Sequence, residues 1–97
     1  MSYRSRKLLN AAKGQSCTNC GMKNGTTVAA HVRMVALGSG TGIKAPDCLC
    51  AWLCGPCHDR IDDRVKCYSS YERRDRFFMA LARTIVQLFE QGIVKVV

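Results

Sequence analysis

Two Cys-x2-Cys pairs, Cys17 with Cys20 and Cys54 with Cys57, constrain this chain more than any other feature. A two-residue gap lets both thiolates of a pair point at one ion from a tight turn. Two such turns complete a tetrahedron of sulfur, the closed geometry of structural zinc. Residues 21–53 separate the pairs, enough chain for a hairpin. The competing reading is a redox dithiol, because Cys54-Gly55-Pro56-Cys57 has the thioredoxin-like form. A second dithiol of the same spacing and the lack of a thioredoxin-sized α/β pattern speak against it. Zn2+ on Cys17, Cys20, Cys54 and Cys57 is therefore the expectation. Cys48, Cys50 and Cys67 are expected to be buried apolar residues rather than ligands.

A staple suits the size of the chain. Its 97 residues read as one domain spanning 1–97, and a domain that short buries a limited core. A hydrophobic fraction of 47% excludes a disordered chain. The segment Met1 to Lys7 carries charge with no apolar stretch behind it, so it reads as part of the fold rather than a secretory signal. No apolar run approaches the ~20 residues a membrane span needs. These features point to a cytoplasmic protein, where paired cysteines hold metal more often than they form disulfides. Fifteen Lys and Arg against seven Asp and Glu leave a formal charge of +8. That excess favours polyanionic partners, chiefly nucleic acid, over a merely well-solvated surface.

The pattern of elements is α+β. Arg4 to Lys13 predicts a short basic helix stopped by Gly14. Thr26 to Val32 is rich in β-branched residues and predicts a strand, with His31 near its end. Gly38 to Pro46 is a glycine-rich loop. It lacks the Gly-Lys-Ser/Thr ending of a nucleotide P-loop, which leaves backbone contact with nucleic-acid phosphate open. Cys48 to Leu53 predicts a second strand and about Cys57 to Val65 a helix, with Pro56 suited to its start. Ser69 to Glu72 has the form of a capping box opening a longer helix over about 69–91. There Tyr71, Phe78, Leu81, Ala82, Ile85, Leu88 and Phe89 recur at spacings that predict one buried face. Ile93 to Val97 reads as a short apolar tail, an edge strand by pattern.

The chain has two histidines, and both sit beside these elements. His31 ends the first strand, and His58 follows Cys57 directly. Asp62 lies four residues after His58, on the same helical face. A His with a carboxylate can hold a hard divalent cation and leave coordination positions open.

Cys-x2-Cys, a strand ending in Ala30-His31, a loop, a second strand and then Cys-x2-Cys-His58 together resemble the HNH nucleases with a zinc-knuckle frame. More closely, Ala30-His31-Val32-Arg33, the stretch Gly40 to Asp47, and Cys54 to Asp62 resemble the YbcO-like group of small phage and prophage proteins, named as nucleases. The resemblance covers most of the chain, and its HNH part rests on residues 17–65. It implies a zinc-stapled ββα-metal core between a basic N-terminal helix and a longer C-terminal amphipathic one. It implies that His31 is the general base activating the attacking water and that His58 is a ligand of a catalytic cation. Asp47 falls near the central Asn of the HNH pattern, further from Cys54 than is usual. Ala30 stands where many HNH enzymes have a second metal-binding His or Asp. The second metal ligand is therefore open between Asp47 and Asp62, with Asp59 and Asp63 weaker candidates.

The chemistry fits phosphodiester hydrolysis. Imidazole, with an ordinary pKa of about 6.5, is suited to proton removal near neutral pH. A divalent cation stabilises charge developing on phosphate. One such ion, Mg2+ or Mn2+, is expected. Arg33, Lys44, Arg60 and Arg64 are the candidates for phosphate contact. The leading functional expectation is a metal-dependent DNA endonuclease of phage or prophage type, with low sequence specificity, acting in the bacterial host cell. The alternative is a non-catalytic zinc module that binds DNA or a phage recombination or replication protein.

Overall fold

Small and β-branched side chains build the hairpin near the expected place, with shorter strands than the sequence predicts. In the computed structural model, which describes residues 3–97, β1 (Val28–His31) pairs antiparallel with β2 (Cys50–Leu53). The register sets Val28 against Leu53 and His31 against Cys50. Ala30, Val32, Ala51 and Leu53 alternate into the core beside Ile61, Phe77 and Leu81. Met1 and Ser2, part of the segment read as belonging to the fold, lie outside the described residues.

Three α-helices frame the hairpin, and the first two depart from their predicted limits for a local reason. Helix α1 spans Arg6–Asn10, shorter than predicted. Ser5 caps it by accepting from the Leu8 N–H at 3.2 Å. Beyond Asn10 the chain tightens into turns, with Lys13 N–H donating to the Asn10 carbonyl at 3.1 Å. Helix α2 (Gly55–Ile61) begins two residues early because Cys54 is its N-cap and Pro56 is tolerated in the first turn. It ends early because Asp63 takes a left-handed backbone, φ 64°. Helix α3 (Ser70–Glu90) opens with the capping box as predicted. The Glu72 N–H donates to Ser69 Oγ and the Ser69 N–H to Glu72 Oε1, both at 3.1 Å.

The buried face of α3 is not the predicted one. Phe77, Ala80, Leu81 and Thr84 are buried, whereas Tyr71, Phe78, Ala82, Ile85 and Phe89 are exposed and Leu88 is half-buried. Only Leu81 of the predicted face is fully inside. The reason is a polar anchor that a count of apolar letters passes over. Thr84 Oγ1 accepts from the Trp52 N–H at 3.0 Å and donates to the Ala80 carbonyl at 2.9 Å. The Thr18 N–H donates to the Trp52 carbonyl at 2.8 Å. Together Thr84 and Thr18 occupy the open edge of β2 where a third strand would pair.

The C-terminal tail is also not a strand. Gly92, at φ 70°, turns the chain so that the Ile93 and Val94 N–H groups both donate to the Leu88 carbonyl. Residues 95–97 follow without regular structure. Among the described residues no helix is long and apolar enough to cross a membrane.

Thr84→Val keeps the shape but leaves the buried Trp52 N–H without an acceptor. The expected loss is about 1–3 kcal/mol, read as a fall in the thermal midpoint of roughly 4–8 °C per kcal/mol. A midpoint unchanged from wild type refutes the anchor.

Candidate metal centre and histidine cleft

Cys17, Cys20, Cys54 and Cys57 converge so that their sulfur atoms lie within 4.8 Å of one another. The first turn closes through Gly21 N–H to the Cys17 carbonyl at 2.8 Å. Gly21 takes φ 81°, a conformation that favours glycine. The second turn is the start of α2. Cys20 Sγ and Cys54 Sγ stand 3.7 Å apart. That matches the edge of about 3.8 Å for a tetrahedron with metal–sulfur bonds of about 2.3 Å. N–H groups already point at the sulfurs. Asn19 and Cys20 amides reach Cys17 Sγ at 3.4 Å, and Asn19 Nδ2 reaches Cys57 Sγ at 3.2 Å.

The electrostatics show why such a cluster wants a cation. Burial pushes the Cys57 thiol up to about 12, with Cys54 and Cys20 adding to the rise. Burial also raises Cys54. At Cys17 burial acts the same way but is outweighed by surrounding amides, so that thiol falls to about 7. Four thiolates this close cannot all be charged unless a cation balances them. Geometry, donors and charge therefore fit a metal ion such as zinc.

The other three cysteines divide. Cys50 is buried as expected, and burial, then the charge of Asp47, push its thiol up to about 12. Cys48 and Cys67 are exposed, against expectation. Cys48 sits in the turn closed by Leu49 N–H to the Pro46 carbonyl, and Cys67 in the link between α2 and α3.

The half-buried His31 and the buried Asp47 form one pair. His31 Nε2 lies 2.8 Å from Asp47 Oδ1. Arg4 Nη1 donates to the same oxygen at 3.1 Å, and the Ser5 N–H donates to Oδ2 at 2.8 Å. Burial raises the Asp47 pKa, but these donors outweigh it and hold the carboxyl below its ordinary range. An ionised Asp47 only accepts, so His31 Nε2 carries the proton. His31 Nδ1 makes no hydrogen bond among the described residues. Arg4 also binds the Ala45 and Lys44 carbonyls at 2.7 Å, strapping the N-terminal segment to the loop before β2. That loop is a tight turn, with Gly40 and Ile43 bridged and Gly42 at φ 69°.

His58 meets the other carboxylate. Its Nε2 lies 3.3 Å from Asp62 Oδ2, one helical turn on. Arg33 Nε stands 3.1 Å from Asp62 Oδ1, and Arg64 Nη2 3.6 Å from Oδ2. Asp62 Oδ2 is buried yet accepts no hydrogen bond of good geometry, an orphaned oxygen beside an imidazole nitrogen. One carboxylate oxygen and one imidazole nitrogen thus stand side by side, with two guanidiniums on the same carboxylate.

A cleft of about 410 Å3 joins the two halves, with His31, Arg33 and Asp62 on one side and Tyr71, Arg73 and Arg74 of α3 on the other. His58 reaches it only through Asp62. Asp47 stands behind His31, facing a separate apolar groove with Trp52 and Phe89. The structure thus places Asp62, not Asp47, next to His58. Asp59 and Asp63 point elsewhere, Asp59 to Arg64 at 3.3 Å and Asp63 to Lys66 at 2.6 Å. Of the four predicted phosphate contacts, Arg33 lines the cleft and Arg64 touches Asp62. Lys44 and Arg60 do not line it. The sequence reading missed Tyr71, Arg73 and Arg74. The available signal was an aromatic and two adjacent cations just inside the capping box.

Comparison with known proteins agrees over nearly the whole chain. The sequence model of the family described as "Putative nuclease YbcO" matches residues 6–93. "Putative nuclease YbcO" of Escherichia coli (strain K12) is 36% identical over 93 residues, covering 91% of this chain and 96% of the relative. "Putative nuclease ybcO" of Enterobacteria phage 82 matches to the same extent. A solved structure, "Structure of a putative bacteriophage protein from Escherichia coli str. K-12 substr. MG1655", superposes with a TM-score of 0.66 at 29% identity. It covers 87% of this chain and 98% of that one.

Native mass spectrometry should find one zinc per chain, and a strong chelator should unfold the domain. A chain that keeps its thermal midpoint after the metal is stripped contradicts a structural role. Asp47 generates a pH prediction. Its folded pKa is depressed, so its contribution is fully present above the ordinary value of about 3.9 and is lost as pH falls through the lower folded value. Below about pH 4 wild type should lose stability more steeply than Asp47→Asn, measured by denaturant melts. Parallel curves rule out the charged pair.

Proposed function

The chain belongs to the YbcO family, and from that premise we propose that it is a metal-dependent endonuclease hydrolysing phosphodiester bonds of DNA. One observation carries the reading. An imidazole held in a single tautomer by a buried carboxylate shares an arginine-lined cleft with a second carboxylate braced by a second imidazole.

The roles follow from the atoms. Asp47 accepts from His31 Nε2, which leaves the Nδ1 lone pair to take a proton from the attacking water. Arg4 and the Ser5 N–H hold Asp47, so they orient the base without touching substrate. His58 and Asp62 would hold Mg2+ or Mn2+. Bound there, the ion would stabilise charge on the phosphate and the leaving oxygen. Arg33 and Arg64 pair with Asp62 now, and in this reading they would exchange that carboxylate for phosphate oxygens. Zn2+ on the four cysteines leaves no open coordination position, so its role is structural. Because Cys57 immediately precedes His58, the sulfur site also aims the proposed ligand. The reading places the enzyme in the cytoplasm of a bacterial host and gives it low sequence specificity.

A second reading, a non-catalytic zinc module that binds DNA or a phage recombination or replication protein, draws on Ala30. That residue is buried in the core and offers no ligand where HNH enzymes often have one.

Plasmid nicking separates the two. Zinc-loaded protein with Mg2+ or Mn2+ should nick supercoiled DNA. His31→Ala should slow cleavage by about 10²–10⁴-fold with zinc content unchanged and a thermal midpoint lowered only as far as the loss of one partner of Asp47 requires, and His58→Ala should abolish the response to added cation. Cleavage by His31→Ala at the wild-type rate removes His31 as base. DNA binding with no cleavage under any divalent cation favours the second reading.

A further inference from the structure

We propose that the cleft takes an unpaired nucleotide of a DNA strand, with Tyr71 stacked on its base and Arg73 and Arg74 on its flanking phosphates. The proposal deepens the nuclease reading and rests on it for the position of the scissile bond.

The charge of the cleft is unbalanced. Arg33, Arg73 and Arg74 face one carboxylate, Asp62, which already has Arg33 at 3.1 Å. Arg73 Nε is buried and makes no hydrogen bond. Its nearest acid, Asp63, is 3.9 Å away and is engaged by Lys66 at 2.6 Å. Arg74 makes no ion pair or side-chain hydrogen bond among the described residues. Arg74 thus lacks an anion and Arg73 has only a long ion pair with an acid shared with Lys66, and both line the cleft together with His31. Phosphate is the anion whose geometry suits a guanidinium fork.

Cations alone would suit any nucleic acid, but the aromatic residue narrows the class. Tyr71 is 78% exposed, lines the cleft and contributes nothing to the core. In a duplex the base faces are stacked inside and cannot meet such a ring. An aromatic platform beside a cationic groove is the combination that binds single strands, each stacked base being worth about 1–3 kcal/mol. The volume, about 410 Å3, lies within the range of roughly 300–1,000 Å3 that accommodates a small organic group. Phe77 and Phe78 are among its lining residues and supply apolar surface.

Fluorescence anisotropy on the zinc-loaded chain, without added Mg2+ or Mn2+, tests this with a short labelled oligodeoxythymidine and a hairpin duplex of equal charge. The single strand should bind more tightly. Tyr71→Ala should weaken it about tenfold and leave duplex affinity within about twofold, while Tyr71→Phe should bind as wild type. Arg74→Ala should weaken both and flatten the dependence on salt. Tyr71 is solvent-facing, so its variants should melt with wild type. Equal affinity for both DNAs, or a Tyr71→Ala variant within twofold of wild type on the single strand, overturns the proposal. If the protein binds single strands through Tyr71 but cleaves nothing, docking stands and hydrolysis falls. Cleavage with no dependence on Tyr71 defeats the docking alone.

Discussion

Four sulfur atoms within 4.8 Å of one another tie the approach to the hairpin to the start of α2, and the placement of nearly everything else follows from that tie. Cys17, Cys54 and Cys57 are core residues as much as candidate ligands, packed with Leu53, Ile61 and Phe77. Cys54 ends the strand pair and caps the helix in one residue. The residue after Cys57 is His58, so the position of the imidazole depends on the sulfur cluster by one peptide bond. A short chain has little apolar area with which to set such angles, and a metal ion held by the four sulfurs would set them by directional bonds instead.

Polar groups do the remaining alignment. Thr84 sets the rotation of α3 by meeting the Trp52 amide on the open edge of β2. Asp47 sets the tautomer of His31 and is in turn set by Arg4 and the Ser5 amide. Asp62 joins His58 on α2 to Arg33, just past β1. Each is a buried or nearly buried group for which an unmatched orientation costs more than any surface contact could return. His31 at the cleft, and His58 behind Asp62, therefore each have a carboxylate rather than packing alone to direct the ring.

The rotation of α3 has a functional consequence. With Phe77 and Leu81 inward, the first turns of the helix present Tyr71, Arg73 and Arg74 to the cleft. With the predicted face inward, Tyr71 would have been core. A single hydrogen-bonded threonine thus decides which side chains form the second wall opposite His31.

Read alone, the sequence determined what is local. The cysteine spacing, the capping box at Ser69, the strand propensity near Val28 and the i,i+4 relation of His58 to Asp62 each depend on a few neighbouring residues and their dihedral preferences. The sequence also held the family resemblance, since motifs are local strings. Tertiary structure alone decided the partners of buried polar atoms. Asp47 is 16 residues from His31 and 43 from Arg4, and Thr84 is 32 from Trp52. No periodicity marks such pairs, because a hydrogen bond needs one well-placed atom rather than a repeating face. For the same reason the sequence named His31 and His58 but left their carboxylates open. Only the folded chain assigned Asp47 to one and Asp62 to the other.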